Sequence, residues 1–158
     1  MSGFSGCPGS KMVEFQTSET SEEAVGIKAP SQLRQWPIQL HLVSPEAPYF
    51  KGADVLLAAD CAPFAMGNFH NDFLKGKSLA IACPKLDGGQ DAYVEKIRAL
   101  FDEAQINTLT VVIMQVPCCR GLLSLAVQAL QKSRRKVPIR YVVAGLQGDV
   151  LQDGWVEE

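Results

Sequence analysis

Leu109-Thr-Val-Val-Ile-Met-Gln-Val116 runs through Pro117-Cys-Cys119 into Arg120-Gly-Leu-Leu-Ser-Leu-Ala-Val-Gln-Ala-Leu-Gln-Lys132. The first stretch is almost continuously apolar and rich in β-branched residues, as befits a strand covered on both faces. The second is apolar on most sides, which predicts a buried helix. A buried strand that feeds a buried helix is half of a βαβ unit, and the rest of the chain supplies its repeats. Downstream, Ile139-Arg-Tyr-Val-Val-Ala144 reads as a further strand closed by Gly145. Upstream, Tyr93, Ile97, Leu100, Phe101 and Ala104 share one stripe of an amphipathic helix that ends by Asn107. Ser78-Leu-Ala-Ile-Ala82 is a strand, Phe69–Leu74 a short helix and Asp54-Val-Leu-Leu-Ala-Ala59 a central strand. Ile38-Gln-Leu-His-Leu-Val43 alternates, so it too is expected to be a strand, half-buried.

Strands that alternate with helices pair in parallel through right-handed crossovers. The expected fold is therefore α/β: a three-layer Rossmann-like or flavodoxin-like domain around a mainly parallel sheet of about five strands. Its expected span is residues 36–150. Residues 1–35, rich in Ser, Thr, Glu and Gly, read as a flexible N-terminal segment, and 151–158 as a loose C-terminal tail.

The chain has 158 residues, 47% of them hydrophobic, and a net charge of −2 with both signs scattered. That balance offers nothing to nucleic acid or to an anionic membrane. No apolar run is long enough to span a bilayer, and Met1–Lys11 lacks the basic start and apolar stretch of a secretory signal, so a cytoplasmic location is expected. The chain lacks a Gly-x-Gly-x-x-Gly fingerprint, a phosphate-binding Gly-x-x-x-x-Gly-Lys-[Ser/Thr] loop and a Gly-x-Ser-x-Gly elbow.

The cysteines are Cys7, Cys61, Cys83, Cys118 and Cys119, an odd set that does not suit a disulfide framework. Cys61, Cys83 and the Cys118–Cys119 pair each follow a predicted strand, and Pro63, Pro84 and Pro117 stiffen the same three segments. Parallel strands share one carboxyl edge, where open α/β folds build their sites. These four thiols are therefore the candidate metal and cofactor ligands, with Cys7 and His70 as further candidates. The bland alternative is that each cysteine is a small packed residue. Cys118 and Cys119 precede a helix, whose N-terminal dipole is expected to favour thiolate. Four thiolates suit a 4Fe–4S cluster or tetrahedral zinc. Adjacent cysteines are awkward on one small ion, which leans toward iron–sulfur. A zinc-binding structural or interaction module and a thiol–disulfide redox protein stand as alternatives.

Other residues carry plainer readings. His41 is expected to pack or face solvent within its strand. Asp60 and Asp87, beside cysteines, are candidates to cap helices or order loops. Lys85 and Arg120 are candidates to offset thiolate charge or to hold a small anion. The basic run Lys132–Lys136 fits a helix C-terminus; a docking patch for an acidic redox partner is the sharper alternative.

Several motifs occur in the order found in one known family: Cys7-Pro-Gly-Ser10, Leu33-Arg-Gln-Trp-Pro-Ile-Gln-Leu-His-Leu-Val43, Ala47-Pro-Tyr-Phe50, Ala59-Asp-Cys-Ala-Pro-Phe-Ala65, His70, Asp72-Phe-Leu74, Cys83-Pro-Lys-Leu-Asp87 and Val116-Pro-Cys-Cys-Arg-Gly-Leu122. Over residues 31–150 the chain resembles the C-terminal domain of 4Fe–4S ferredoxin-type, iron–sulfur cluster-binding oxidoreductases of anaerobic microbes. The resemblance implies a cluster-binding domain with a redox or electron-transfer role and a ferredoxin-type partner or domain. Members of that family begin with a two-cluster Cys-x-x-Cys-x-x-Cys-x-x-x-Cys-Pro segment. This sequence lacks it, and so reads as a trimmed form or a shortened relative.

Overall fold

A computed structural model describes residues 28–157. The expected flexible segment thus lies largely outside the described residues, and Cys7 wholly so. The order of elements is β1 (Asp54–Ala59), α1 (Ala62–Ala65), a π-helical turn (His70–Leu74), β2 (Ser78–Ala82), α2 (Gln90–Asp102), β3 (Thr108–Met114), α3 (Arg120–Lys132), β4 (Ile139–Ala144) and β5 (Val150–Trp155). Single 3₁₀ turns at Pro48–Phe50 and Pro117–Cys119 precede β1 and α3.

The strands form one sheet in the order β2-β1-β3-β4-β5. β1 to β4 are parallel and β5 is antiparallel to β4. The three central strands are buried along nearly their whole length, because helices or loops cover both faces of a parallel sheet. α2 and α3 pack on each other. With right-handed crossovers they share one face, and the α1–π-turn connection covers the other. α3 buries Leu122, Leu125, Ala126, Ala129 and Leu130, a helical stripe, and leaves Ser124, Gln128 and Gln131 exposed. It is amphipathic rather than buried on most sides. Its basic end closes two helices: Lys136 Nζ donates to the carbonyls of Leu130 (2.7 Å) and Ser133 (3.0 Å), and Arg135 to those of Phe101 (3.1 Å) and Ile106 (2.9 Å).

Two expectations need correction. Residues 38–43 are not a strand. They make one parallel bridge, Gln39 to Ile81, and then turn, because the amides of Leu42 and Val43 both donate back to the Gln39 carbonyl. The Lys96 ammonium fixes that turn by bonding the carbonyls of Leu40, His41 and Val43 at 2.7–3.0 Å. Residues 32–40 act instead as a strap along the free edge of β2. Arg34 donates to Ser78 Oγ, and the Gln35 side-chain amide pairs with both the N–H and the C=O of Leu79, as a neighbouring strand would. The strap thereby satisfies an edge that would otherwise be open to pairing. It also carries the fold back before residue 36.

Residues 151–155, expected to be loose, lie in β5. This strand is mostly exposed, so its sequence shows no buried stripe. Backbone pairing with β4 and the Arg140–Asp153 ion pair at 2.6 Å hold it. Gly154 packs under the Tyr141 side chain, whose hydroxyl would lie 2.9 Å from an added Cβ.

Candidate functional site

The strand order brings the cysteine-bearing loops side by side. Cys83 follows β2, Cys61 follows β1, and Cys118 and Cys119 follow β3; these three strands are neighbours in the sheet. The connections that leave β1 (to β2) and β3 (to β4) run in opposite directions, so the gap between the ends of β1 and β3 is the topological switch point of the sheet. Cys61 and the Cys118–Cys119 pair flank it.

Contacts tie the loops together. The Asp60 amide donates to the Ala82 carbonyl at 3.2 Å, which carries the β1–β2 pairing up to Cys61. Gly121 lies so close to buried Pro84 that a Cβ would stand 3.2 Å from the proline ring, which seats the start of α3 on the Cys83 loop. Gly148, at φ +92°, lies under the Ala65 carbonyl, which seats the β4–β5 turn against α1.

All four cysteines are free thiols. Cys61 is exposed, Cys83 and Cys118 are half-buried, and Cys119 is buried. The Cys61 thiol donates to Asp60 Oδ1 at 3.4 Å. Its pKa is raised by loss of water around the sulfur, by that bond and the Asp60 charge, and by the nearby Cys83 and Cys118 sulfurs. Burial pushes Cys119 up to about 11, against a main-chain hydrogen bond from Met114, and Cys118 and Cys61 add to the rise. At Cys119 this runs against the expected thiolate, because desolvation raises its pKa despite its place at the start of α3. The thiols thus sense one another across the three loops, yet no three His, Cys, Asp or Glu side chains among the described residues are drawn together tightly enough to hold a metal ion.

His70 is not part of this group. Its Nδ1 accepts the main-chain N–H of Gln32 at 3.0 Å, in a surface pocket lined by Ala29–Ser31, Gly67, Asn68 and Asn71, with no cysteine among them. His41 is exposed and outside any strand; its Nε2 donates to the Gly88 carbonyl at 2.6 Å and its ring lies 4.2 Å from that of Tyr93. Arg120 is exposed at the start of α3. Asp87 does order a loop: its Oδ2 accepts the Cys83 N–H at 2.9 Å, the Gln39 amide at 3.1 Å and the Tyr93 hydroxyl. Burial and the bond to Asp87 push Tyr93 to about 12, so its hydroxyl keeps the proton it donates. Sequence periodicity places Tyr93 in the helix core and Gln39 on the polar side of an alternating strand, and so reveals neither role; the one available signal is the Tyr93 hydroxyl in an otherwise apolar stripe.

Residues 47–157 match the family model described as "Rossmann-like domain". The chain belongs to that family. A protein of Archaeoglobus fulgidus, described as uncharacterized, is 29% identical over 119 residues, which cover 75% of this chain and 83% of the relative. No solved structure matches the chain. No helix among the described residues is long and apolar enough to cross a membrane.

Proposed function

We propose that this domain is cytoplasmic, that it binds an iron–sulfur cluster, of the 4Fe–4S type, through Cys61, Cys83, Cys118 and Cys119, and that it exchanges electrons with a ferredoxin-type partner. One observation carries the reading: three neighbouring parallel strands, β2, β1 and β3, each lead at the same edge of the sheet into a loop that carries free thiols. The adjacent pair Cys118–Cys119 favours a cluster over zinc. A single tetrahedral ion needs its donors gathered at one point, whereas a cluster takes each thiolate on a different iron. The motif resemblance to iron–sulfur cluster-binding oxidoreductases points the same way. When bound, such a cluster supplies one-electron chemistry. Of the four that would hold it, Cys61 is exposed, Cys83 and Cys118 are half-buried and Cys119 is buried. Ligation would require deprotonated thiols, and burial raises the cost of deprotonation at Cys119.

Metal content separates the readings. Anaerobic reconstitution is expected to yield a brown protein with iron and sulfide in equal amounts. A colourless protein that takes up no iron refutes the proposal, and stoichiometric zinc in protein purified without reconstitution supports the structural-module alternative.

A further inference from the structure

Cys83 opens a loop that a single carboxylate shapes. Asp87 Oδ2 accepts the Cys83 N–H at 2.9 Å, and the Asp87 N–H donates to the Cys83 carbonyl at 2.9 Å. These two bonds close the loop by themselves. Yet the same oxygen also takes the Tyr93 hydroxyl from α2 and the Gln39 amide from the strap, and Gln39 donates in addition to the Tyr93 oxygen at 2.9 Å. Gln39 is itself fixed by backbone pairing of its neighbours with Ile81, two residues before Cys83. Strap, β2 loop and α2 therefore meet on one oxygen atom next to one cysteine. A carboxylate with several donors is held in a single orientation, and so is the backbone that bonds to it.

We propose that Asp87 is the positioning residue for Cys83, and that Gln39 and Tyr93 hold Asp87 in place so that Cys83 keeps its position at the end of β2. The inference rests on the reading of the cysteine edge as a cluster site, and names the support for one of its ligands. None of the three residues needs to touch the cluster.

The test compares the wild type with Asp87→Ala, Asp87→Asn and Gln39→Leu by two readouts. In metal-free, reduced protein, peptide mapping after iodoacetamide treatment gives the modification rate at each cysteine. Asp87→Ala and Gln39→Leu are expected to raise the rate several-fold at Cys83 and leave Cys61 and Cys118 unchanged. Asp87→Asn, which keeps an acceptor oxygen, is expected to fall between. In reconstituted protein, Asp87→Ala is expected to keep its iron but shift the EPR g-values and the reduction potential. Equal acceleration at all cysteines, which marks general loosening, overturns the proposal, as does an unchanged rate at Cys83. If the wild type takes up no iron, the cluster reading falls, while the Cys83 rates still decide the positioning role.

Discussion

At Cys119 two local influences oppose each other. The residue is the N-cap of α3, where the dipole favours a thiolate, yet it is buried in the core cluster and its thiol is pushed up to about 11. Cys61, one strand over, is exposed. In metal-free protein near pH 8, alkylation at Cys119 is therefore expected to be at least about tenfold slower than at Cys61, because both thiolate fraction and access are lower. Quantitative mass spectrometry of the labelled peptides gives the ratio, and a faster Cys119 would contradict the assignment of burial. The four cysteine positions were legible in the sequence because each follows an apolar run. Their ionisation was not, since it depends on how deep each loop sits.

At the scale of elements, glycines allow the close approaches that gather the site. Gly148 has φ +92°, and an added Cβ would stand 2.4 Å from the Ala65 carbonyl oxygen. Gly148→Ala is expected to cost about 1–3 kcal/mol through backbone strain, with a further loss from the clash. A urea midpoint unchanged from the wild type would mean that the turn does not rest on α1. Gly121→Val is expected to lift the start of α3 from Pro84 and cost about 1–3 kcal/mol by overpacking. Iron uptake after reconstitution should fall with it, since the β2 and β3 cysteine loops meet at this contact. The parallel strands were readable from continuous apolar runs. The strap and β5 were not: the strap is held by side-chain amides and a lysine, and the alternation of Ile38–Val43 mimicked a strand, while β5 pairs on an exposed edge and leaves no periodic apolar stripe.

At the scale of the molecule, the end of the sheet opposite the cysteines is tied by Asp102. Its carboxylate accepts the main-chain N–H groups of Arg134 and Arg135, both at 2.9 Å, and pairs with Arg98 at 3.1 Å. The bond from Arg135 leads in holding its pKa below the ordinary carboxylate value of 3.8. A depressed folded-state pKa stabilises the protein above the unfolded value, and this contribution is lost as pH falls through the folded one. Asp102→Ala is expected to cost about 1–3 kcal/mol near neutral pH, from the unpaired main-chain donors. The difference in melting temperature between the variant and the wild type should shrink below pH ~4, and a constant difference down to pH ~2 would assign it to packing. The α/β architecture followed from the sequence, because strands that alternate with helices pair in parallel; the order β2-β1-β3, which makes the cysteine strands neighbours, came from the structure. Which thiols sit inside and which outside required the packed loops.

The central claim is that Cys61, Cys83, Cys118 and Cys119 act as one ligand set. Its most direct test is low-temperature EPR of anaerobically reconstituted, dithionite-reduced protein, for the wild type and for Cys61→Ser, Cys83→Ser and Cys118→Ser. The account predicts an iron–sulfur signal in the wild type that is lost or altered in each variant. No signal and no iron in the wild type, or the same signal in all four proteins, would contradict it.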